Sequence, residues 1–429
     1  MSTVVAAPGI DESPIQLEKA VIRSWKAPII FAVFTALAAI LFIALGRSGV
    51  THFNLSTSSD LIQLPLATLP TRETGVVVVV ISVLLTGVGF GLSYGARKLP
   101  LWLITIFAAV FFTGFLTWAA ANNTLAVPGL LLSAIGISVP LIFGALGGVI
   151  SERVGVVNVA IEGQLLAGAF VSAVVATVTH QAIVGFLAAM LAGVLVAAIL
   201  AVFSITYLVD QVIVGVVLNV LVIGLTDFLY SQVLASNAPT LNAPPHFPFL
   251  PIPLLSEIPV LGPALFRQTI IVYLMYVAIF LVWFALFKTR WGLRVRAVGE
   301  QPTAADTVGI NVNRTRFLNV MLAGAIAGAG GAYYSLAASP LFTRDVTAGA
   351  GYIALAAVIF GRWNPLLATL AALLFGFTSS LQFSLSAAGS PVPSEFMLML
   401  PYVVTILAVA GLVGHSRGPA ASGKPYIKS

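Results

Sequence analysis

An all-α polytopic membrane protein, with about twelve transmembrane segments of which one is short and broken, is the fold class this sequence predicts. Three observations predict it. Hydrophobic residues fill 59% of the 429 positions and charged residues only 8%, against about 25% charged in an ordinary soluble domain; the mean hydropathy is +1.06. Apolar runs close to the roughly 20 residues a helix needs to cross hydrocarbon recur along the whole chain. Basic residues gather between alternate pairs of those runs, as they do on the cytoplasmic side of a membrane.

The spans are predicted at 27–45, 75–95, 101–120, 127–149, 159–178, 182–204, 211–230, 269–289, 317–337, 364–383 and 396–414. A twelfth, 349–361, is too short to cross straight. It follows Gly349 and Gly351 and stops before Arg362 and Pro365, a pattern for a broken helix whose free backbone faces protein or a water-filled cavity. With both termini cytoplasmic and all twelve crossing, the inner segments hold sixteen of the twenty basic residues; Arg47, Arg72, Arg267 and Arg344 are outside. The segment 231–268, with eight prolines, then lies outside. Residues 1–26 hold no apolar run, so no cleaved leader is predicted. The organisation expected is an extension at 1–126 with three spans, a core at 127–414 and a cytoplasmic tail at 415–429.

Much chemistry is excluded. There is no cysteine, hence no disulfide or thiolate site. The four histidines lie in separate segments without metal-ligand spacing. Gly418–Lys424 reads GPAASGK, but Pro425 stands where a phosphate-binding loop needs Ser or Thr, and neither strand nor helix flanks it. No nucleophile–base arrangement is visible, so no enzyme is predicted. The basic balance reports topology rather than nucleic-acid binding.

Two stretches carry functional signals. The first is Lys288–Arg316, KTRWGLRVRAVGEQPTAADTVGINVNRTR, which holds six of the twenty basic residues. A very short helix is predicted inside it: Pro302 suits a first helical position, Glu300 favours the positive end of the dipole, and Gly309 supplies the left-handed stop. So short a helix needs a surface to lie on. The second is SERVGVVNVAIEGQLLAGA (151–169), which sets Glu152, Arg153, Asn158, Glu162 and Gln164 among apolar residues. Ionisable groups at membrane depth are costly and mark function or a buried network joining helices, with Arg153 pairing Glu152 or Glu162. Glycines at 144 and 148, and at 324 and 328, show the spacing for close helix contact. The run GAIAGAGGAYY (324–334) reads as tight packing.

The run GLRVRAVGEQPTAADTVGINV resembles the coupling loop of ABC importer permeases of the nucleoside and simple-sugar group, related to the branched-chain amino-acid permeases. The resemblance continues through 151–169, DQVIVGVVLNVLVIGL (210–225), GYIALAAVIFGRWNP (351–365), PYVVTILAVAGLVG (401–414) and the KPYIK tail. It implies a type II importer-like permease core that moves nucleosides by alternating access. It also implies partners: a second, related permease, a separate ATPase that binds ATP and Mg, and an extracellular or periplasmic binding protein. The chain itself needs no cofactor and sits in a prokaryotic plasma membrane. The coupling positions it implies are Arg294, Arg296, Gly299, Glu300, Pro302, Ala304, Ala305, Asp306, Val308 and Gly309, with Ala304, Ala305 and Val308 as the apolar face towards the ATPase. A neutral nucleoside requires amides and hydroxyls rather than fixed charges, which selects Asn158, Gln164, Gln211 and Asn219, with Glu162 beside them; Gln382, Phe383 and Ser384 are further candidates. Other solutes, simple sugars among them, would use the same architecture. An ion-coupled transporter would need matching repeat halves, and no internal repeat is visible; a structural scaffold would have no use for a capped coupling helix.

Overall fold

Long apolar runs satisfy their own backbone by coiling, and the chain does so from end to end. A computed structural model describes residues 25–428 except 59, 96, 98, 340, 388, 390–398 and 400–417. Ten helices among the described residues are long and apolar enough to cross a membrane. They coincide with ten predicted spans; the span predicted at 396–414 lies, apart from Met399, outside the described residues.

Two compact units divide the chain. The first comprises residues up to Gly49 and Pro70–Ala121. It contains α1 (Lys26–Ala44), α2 (Thr71–Tyr94) and α3 (Leu101–Ala119). Aromatic contacts bind this trio: Phe31 stacks on Phe107 with centroids 4.1 Å apart, and Phe34 meets Phe111 edge-on. Thr35 and Thr86 share a buried hydroxyl hydrogen bond of 2.8 Å.

The second unit comprises Val50–Leu69 and residues from Asn122 onwards. Here β1 (Val50–Asn54) pairs in parallel with β3 (Thr124–Ala126), and β2 (Ala67–Pro70) flanks β1. The spans are α4 (Val127–Arg153), α5 (Ile161–Thr179), α6 (Ala182–Thr206), α7 (Gln211–Leu234), α10 (Ile270–Lys288), α13 (Val312–Ala338) and α15 (Pro365–Ala387). Short helices α8 (Ala238–Leu241) and α9 (Leu261–Phe266) and a hairpin of β4 (Phe249–Pro251) with β5 (Arg267–Thr269) order the proline-rich segment. That segment is pinned by Asn242, whose amide exchanges two hydrogen bonds with the backbone of Phe342.

The core lies where α13 packs between α4, α5 and α6. Gly324 and Gly328 meet Gly193 and Ala189 of α6, and Gly168 of α5 abuts Gly328, so these backbones touch with no side chain between them. Gly144 and Gly148 do the same for α14 (Ala350–Phe360): a methyl group at Gly144 would stand 2.9 Å from the Ala354 Cβ. The small-residue spacing read from the sequence is thus used for close packing.

Candidate translocation site and coupling face

Two breaks in helical structure organise the core. After α4 ends at Arg153, residues 154–160 run without helix yet are largely buried, Val154, Val156 and Asn158 completely. Ile161, which opens α5, packs against Gly144 and Gly148, about 10 Å back along α4 from its end at 1.5 Å per residue. The chain therefore climbs back alongside α4 before α5 begins, and 151–158 forms a helix end followed by an internal break. The second break is α14, whose 11 residues span about 16 Å, half a bilayer core. Gly349 precedes it at φ +82°, and Arg362 and Trp363, both at positive φ, turn the chain into α15.

A broken backbone inside a bundle needs side-chain partners, and the polar residues singled out in the sequence supply them. Gln211 accepts from the Val157 N–H at 2.7 Å. Asn219 accepts from the Gly163 N–H at 2.8 Å and donates to the Val159 carbonyl and the Tyr352 hydroxyl. Asn158 and Gln164 form a reciprocal amide pair, 3.1 and 3.2 Å. Asn158 precedes the helix, because α5 starts only at Ile161. Glu162 accepts from the Thr347 hydroxyl and from the N–H groups of Gly349 and Gly351, and so anchors the start of α14. All five side chains are at most 4% exposed.

The expected pairing of Arg153 with Glu152 or Glu162 does not form. Arg153 donates to the carbonyls of Trp363 and Arg362, and the Trp363 indole donates to Glu152. Carbonyls at the turn between α14 and α15 offer Arg153 acceptors without a second buried charge, while Glu162 is already fully used.

The space that a neutral solute could occupy lies elsewhere. A cavity of about 480 Å³ opens between α4, the end of α13, α15 and the hairpin. Its walls include Phe249, Tyr333, Tyr334 and Phe383, with Ser133, Gln268, Ser380 and Ser384 adding polar atoms and no charged residue contributing. The Tyr333 hydroxyl lies over Gly136, where a methyl group would approach it to 2.8 Å; it has no hydrogen-bond partner among the described residues. Of the sequence candidates only Phe383 and Ser384 line this cavity. The signal for the rest was the tyrosine pair closing the glycine-rich run: the glycines pack, but the tyrosines at its end face open space.

Lys288–Arg316 is not a polar loop around one short helix. It forms α11 (Arg290–Glu300) and α12 (Pro302–Thr307), and Arg314 and Arg316 belong to the first turns of α13. Val295 and Val298, three apart, are fully buried and give α11 an inner face. The Thr289 hydroxyl caps α11 on Gly292, and Gly299 presses on the Arg153 carbonyl. Pro302 opens α12, and Gly309 stands at φ +86° after it, as the sequence predicts.

The assigned apolar face needs correcting. Ala305 is 3% exposed and packs into the chain itself, while Val308 is 75% exposed and Ala304, Arg294 and Glu300 face outwards. Residues 418–428 fold over this region: Ala421 N–H donates to the Gly299 carbonyl, Ala420 N–H to Glu300, and Arg316, 2% exposed, to the Lys424 carbonyl. Tyr426 hydrogen bonds Asp306, and desolvation together with that carboxylate raises the phenol pKa. Arg296 lies over the Phe287 ring at 5.3 Å. The outward surface is a hollow of about 650 Å³ between α11 and the 308–311 turn, walled by Leu293, Arg294, Val308 and Ile310.

Comparison with known proteins agrees with this architecture. The family model described as branched-chain amino acid transport system, permease component, matches residues 130–409. The guanosine ABC transporter permease protein NupQ of Bacillus subtilis is 43% identical over 67% of this chain and 93% of its own length. The nucleoside ABC transporter permease protein NupC of Lactococcus lactis is 42% identical over 68% and 94%. A second permease protein from Bacillus subtilis, NupP, is 24% identical over 66% and 83%. No solved structure matches. This chain, a multi-pass helical bundle with short glycine-packed breaks that one family model matches over about 65% of its length, belongs to the permease components of branched-chain amino acid-type transport systems.

Proposed function

We propose that this chain is one of two permeases of an ATP-driven nucleoside importer in a prokaryotic plasma membrane. The observation that carries the substrate is the uncharged cavity walled by Tyr333, Tyr334, Phe249 and Phe383. A nucleoside offers a base to aromatic faces and a ribose to hydroxyls and amides, and about 480 Å³ lies in the range of small-molecule sites. Similarity to permeases named for guanosine and nucleosides supports the same reading. Two such permeases match from each of Bacillus subtilis and Lactococcus lactis, which supports a related but different second permease here.

The outward face of α11 and α12 is where an ATPase docks in this reading. Val308 and Leu293 offer exposed apolar contacts, and Arg290 and Arg294 favour an acidic rim on the partner. Alternating access would follow from ATP-driven movement of this face, passed to α4 through Gly299 on Arg153 and to α13 through the tail on Arg316. Both termini are cytoplasmic in this reading, which the positive-inside bias supports.

Uptake of labelled guanosine in a strain lacking this chain tests the proposal. Uptake is lost and restored by the wild-type chain, while Tyr333→Leu raises KM by roughly tenfold, the cost of losing one stacking contact of about 1.4 kcal/mol. A strain that loses uptake of another solute but keeps that of nucleosides overturns the substrate assignment.

A further inference from the structure

We infer that a cavity of about 500 Å³ between the end of α6, the start of α13 and the tail binds the headgroup of an anionic phospholipid. Its walls are Leu208, Phe317, Leu318 and Ile427, and its polar rim carries Arg314 and Lys428 with no acidic residue. Neither cation has a side-chain partner among the described residues, and both are exposed. Arg316, two residues along from Arg314, is buried with two of its guanidinium nitrogens unpartnered among the described residues, and it adds a further positive charge to this end of α13.

The site sits at membrane level. Leu187, Leu191, Leu195, Ile199 and Phe203 recur every four residues on α6 and are all exposed, so they form one apolar ridge along the helix. The ridge ends at Tyr207, 67% exposed and in ring contact with Phe203, as expected of an aromatic side chain at the water–hydrocarbon boundary. Its neighbours Ile205, Thr206 and Leu208 line the cavity. An acyl chain along the ridge therefore delivers its headgroup to Arg314 and Lys428. Basic pockets beside helix ends are suited to anionic headgroups; a freely diffusing anion would make no use of the ridge. In the proposed orientation this cavity faces the inner leaflet.

Native mass spectrometry of the full-length detergent-solubilised protein, titrated with phosphatidylglycerol or phosphatidylcholine, tests this. The wild type holds one phosphatidylglycerol more tightly than any phosphatidylcholine. Arg314→Gln with Lys428→Gln weakens that binding about thirtyfold, from about 1 kcal/mol per cation near an anionic surface. Lys288→Gln with Arg290→Gln, which removes two cations outside the cavity, leaves it within threefold. Should the first pair not elute as a single species, Arg314→Gln alone is read, with about fivefold weakening. The inference fails if the cavity variant binds phosphatidylglycerol like the wild type, if the control pair weakens it equally, or if millimolar inorganic phosphate displaces the lipid.

Discussion

Replacing Glu162 by Gln exchanges one oxygen for an NH2 group and tests how the internal break is held. The carboxylate accepts three donors: the Thr347 hydroxyl at 2.6 Å and the Gly349 N–H at 2.9 Å on one oxygen, and the Gly351 N–H on the other. An amide keeps one accepting oxygen. If that oxygen serves Thr347 and Gly349, the Gly351 N–H faces an NH2 group and stays unpaired, which costs about 1–3 kcal/mol. The two remaining hydrogen bonds fall from charge-assisted to neutral, roughly 1 kcal/mol each. The start of α14 cannot slide to compensate, because Gly351 already lies against the Glu162 backbone. A total near 3–5 kcal/mol follows, read by tryptophan fluorescence as a fall in Tm of roughly 10 °C by the scaling of soluble domains. Guanosine uptake per folded transporter falls, with KM unchanged. A variant with wild-type Tm and a raised KM would place Glu162 on the substrate route and refute the anchoring argument.

Gly193→Val drives a side chain into the Gly324 carbonyl and should cost more than 3 kcal/mol, halving detergent-extractable protein or worse; Gly224→Ala, with open space around it, should leave the yield unchanged. Val308→Asp puts a charge on the proposed docking face and should reduce ATPase co-purification at least tenfold with normal Tm, whereas Ala305→Arg should lower Tm itself, because Ala305 packs within the chain. Cysteines at Asn237 and Thr303, both exposed, should react with an impermeant maleimide from outside and only after lysis, respectively; the reverse pattern would invert the proposed topology. Deleting residues 418–428 removes the acceptor for Arg316 and the partner of Asp306, and should abolish guanosine uptake while the protein still inserts.

Ten spans were legible because hydrophobic length is written residue by residue, and their ends moved by only a few positions. The two breaks were legible as anomalies, a short span at 349–361 and polar residues at 151–164, since the membrane tolerates either only with partners nearby. What the sequence could not supply was the identity of those partners. Asn219 and Gly163 are 56 residues apart, Glu162 and Gly351 189, and no local pattern reports such distances. The contacts of the tail with Glu300, Asp306 and Arg316 were hidden for the same reason, since each pair lies more than a hundred residues apart. The tyrosines of the central cavity looked like packing because their neighbours are glycines that do pack.

The distances along the chain also set an order of biogenesis. A backbone stretch such as 154–160 enters the bilayer with groups that only later segments can satisfy. Gln211 is synthesised 54 residues after Val157, several seconds at 5–20 residues per second. The donors for Glu162 arrive some 185 residues after it. Until then the carboxylate has to stay near water or a translocation channel, so α4 and α5 cannot settle as a finished hairpin when they leave the ribosome. The core therefore closes late and nearly all at once, when 347–351 arrives. Truncations before that point should be recognised by the cell as unassembled membrane protein, even though most of their spans are present.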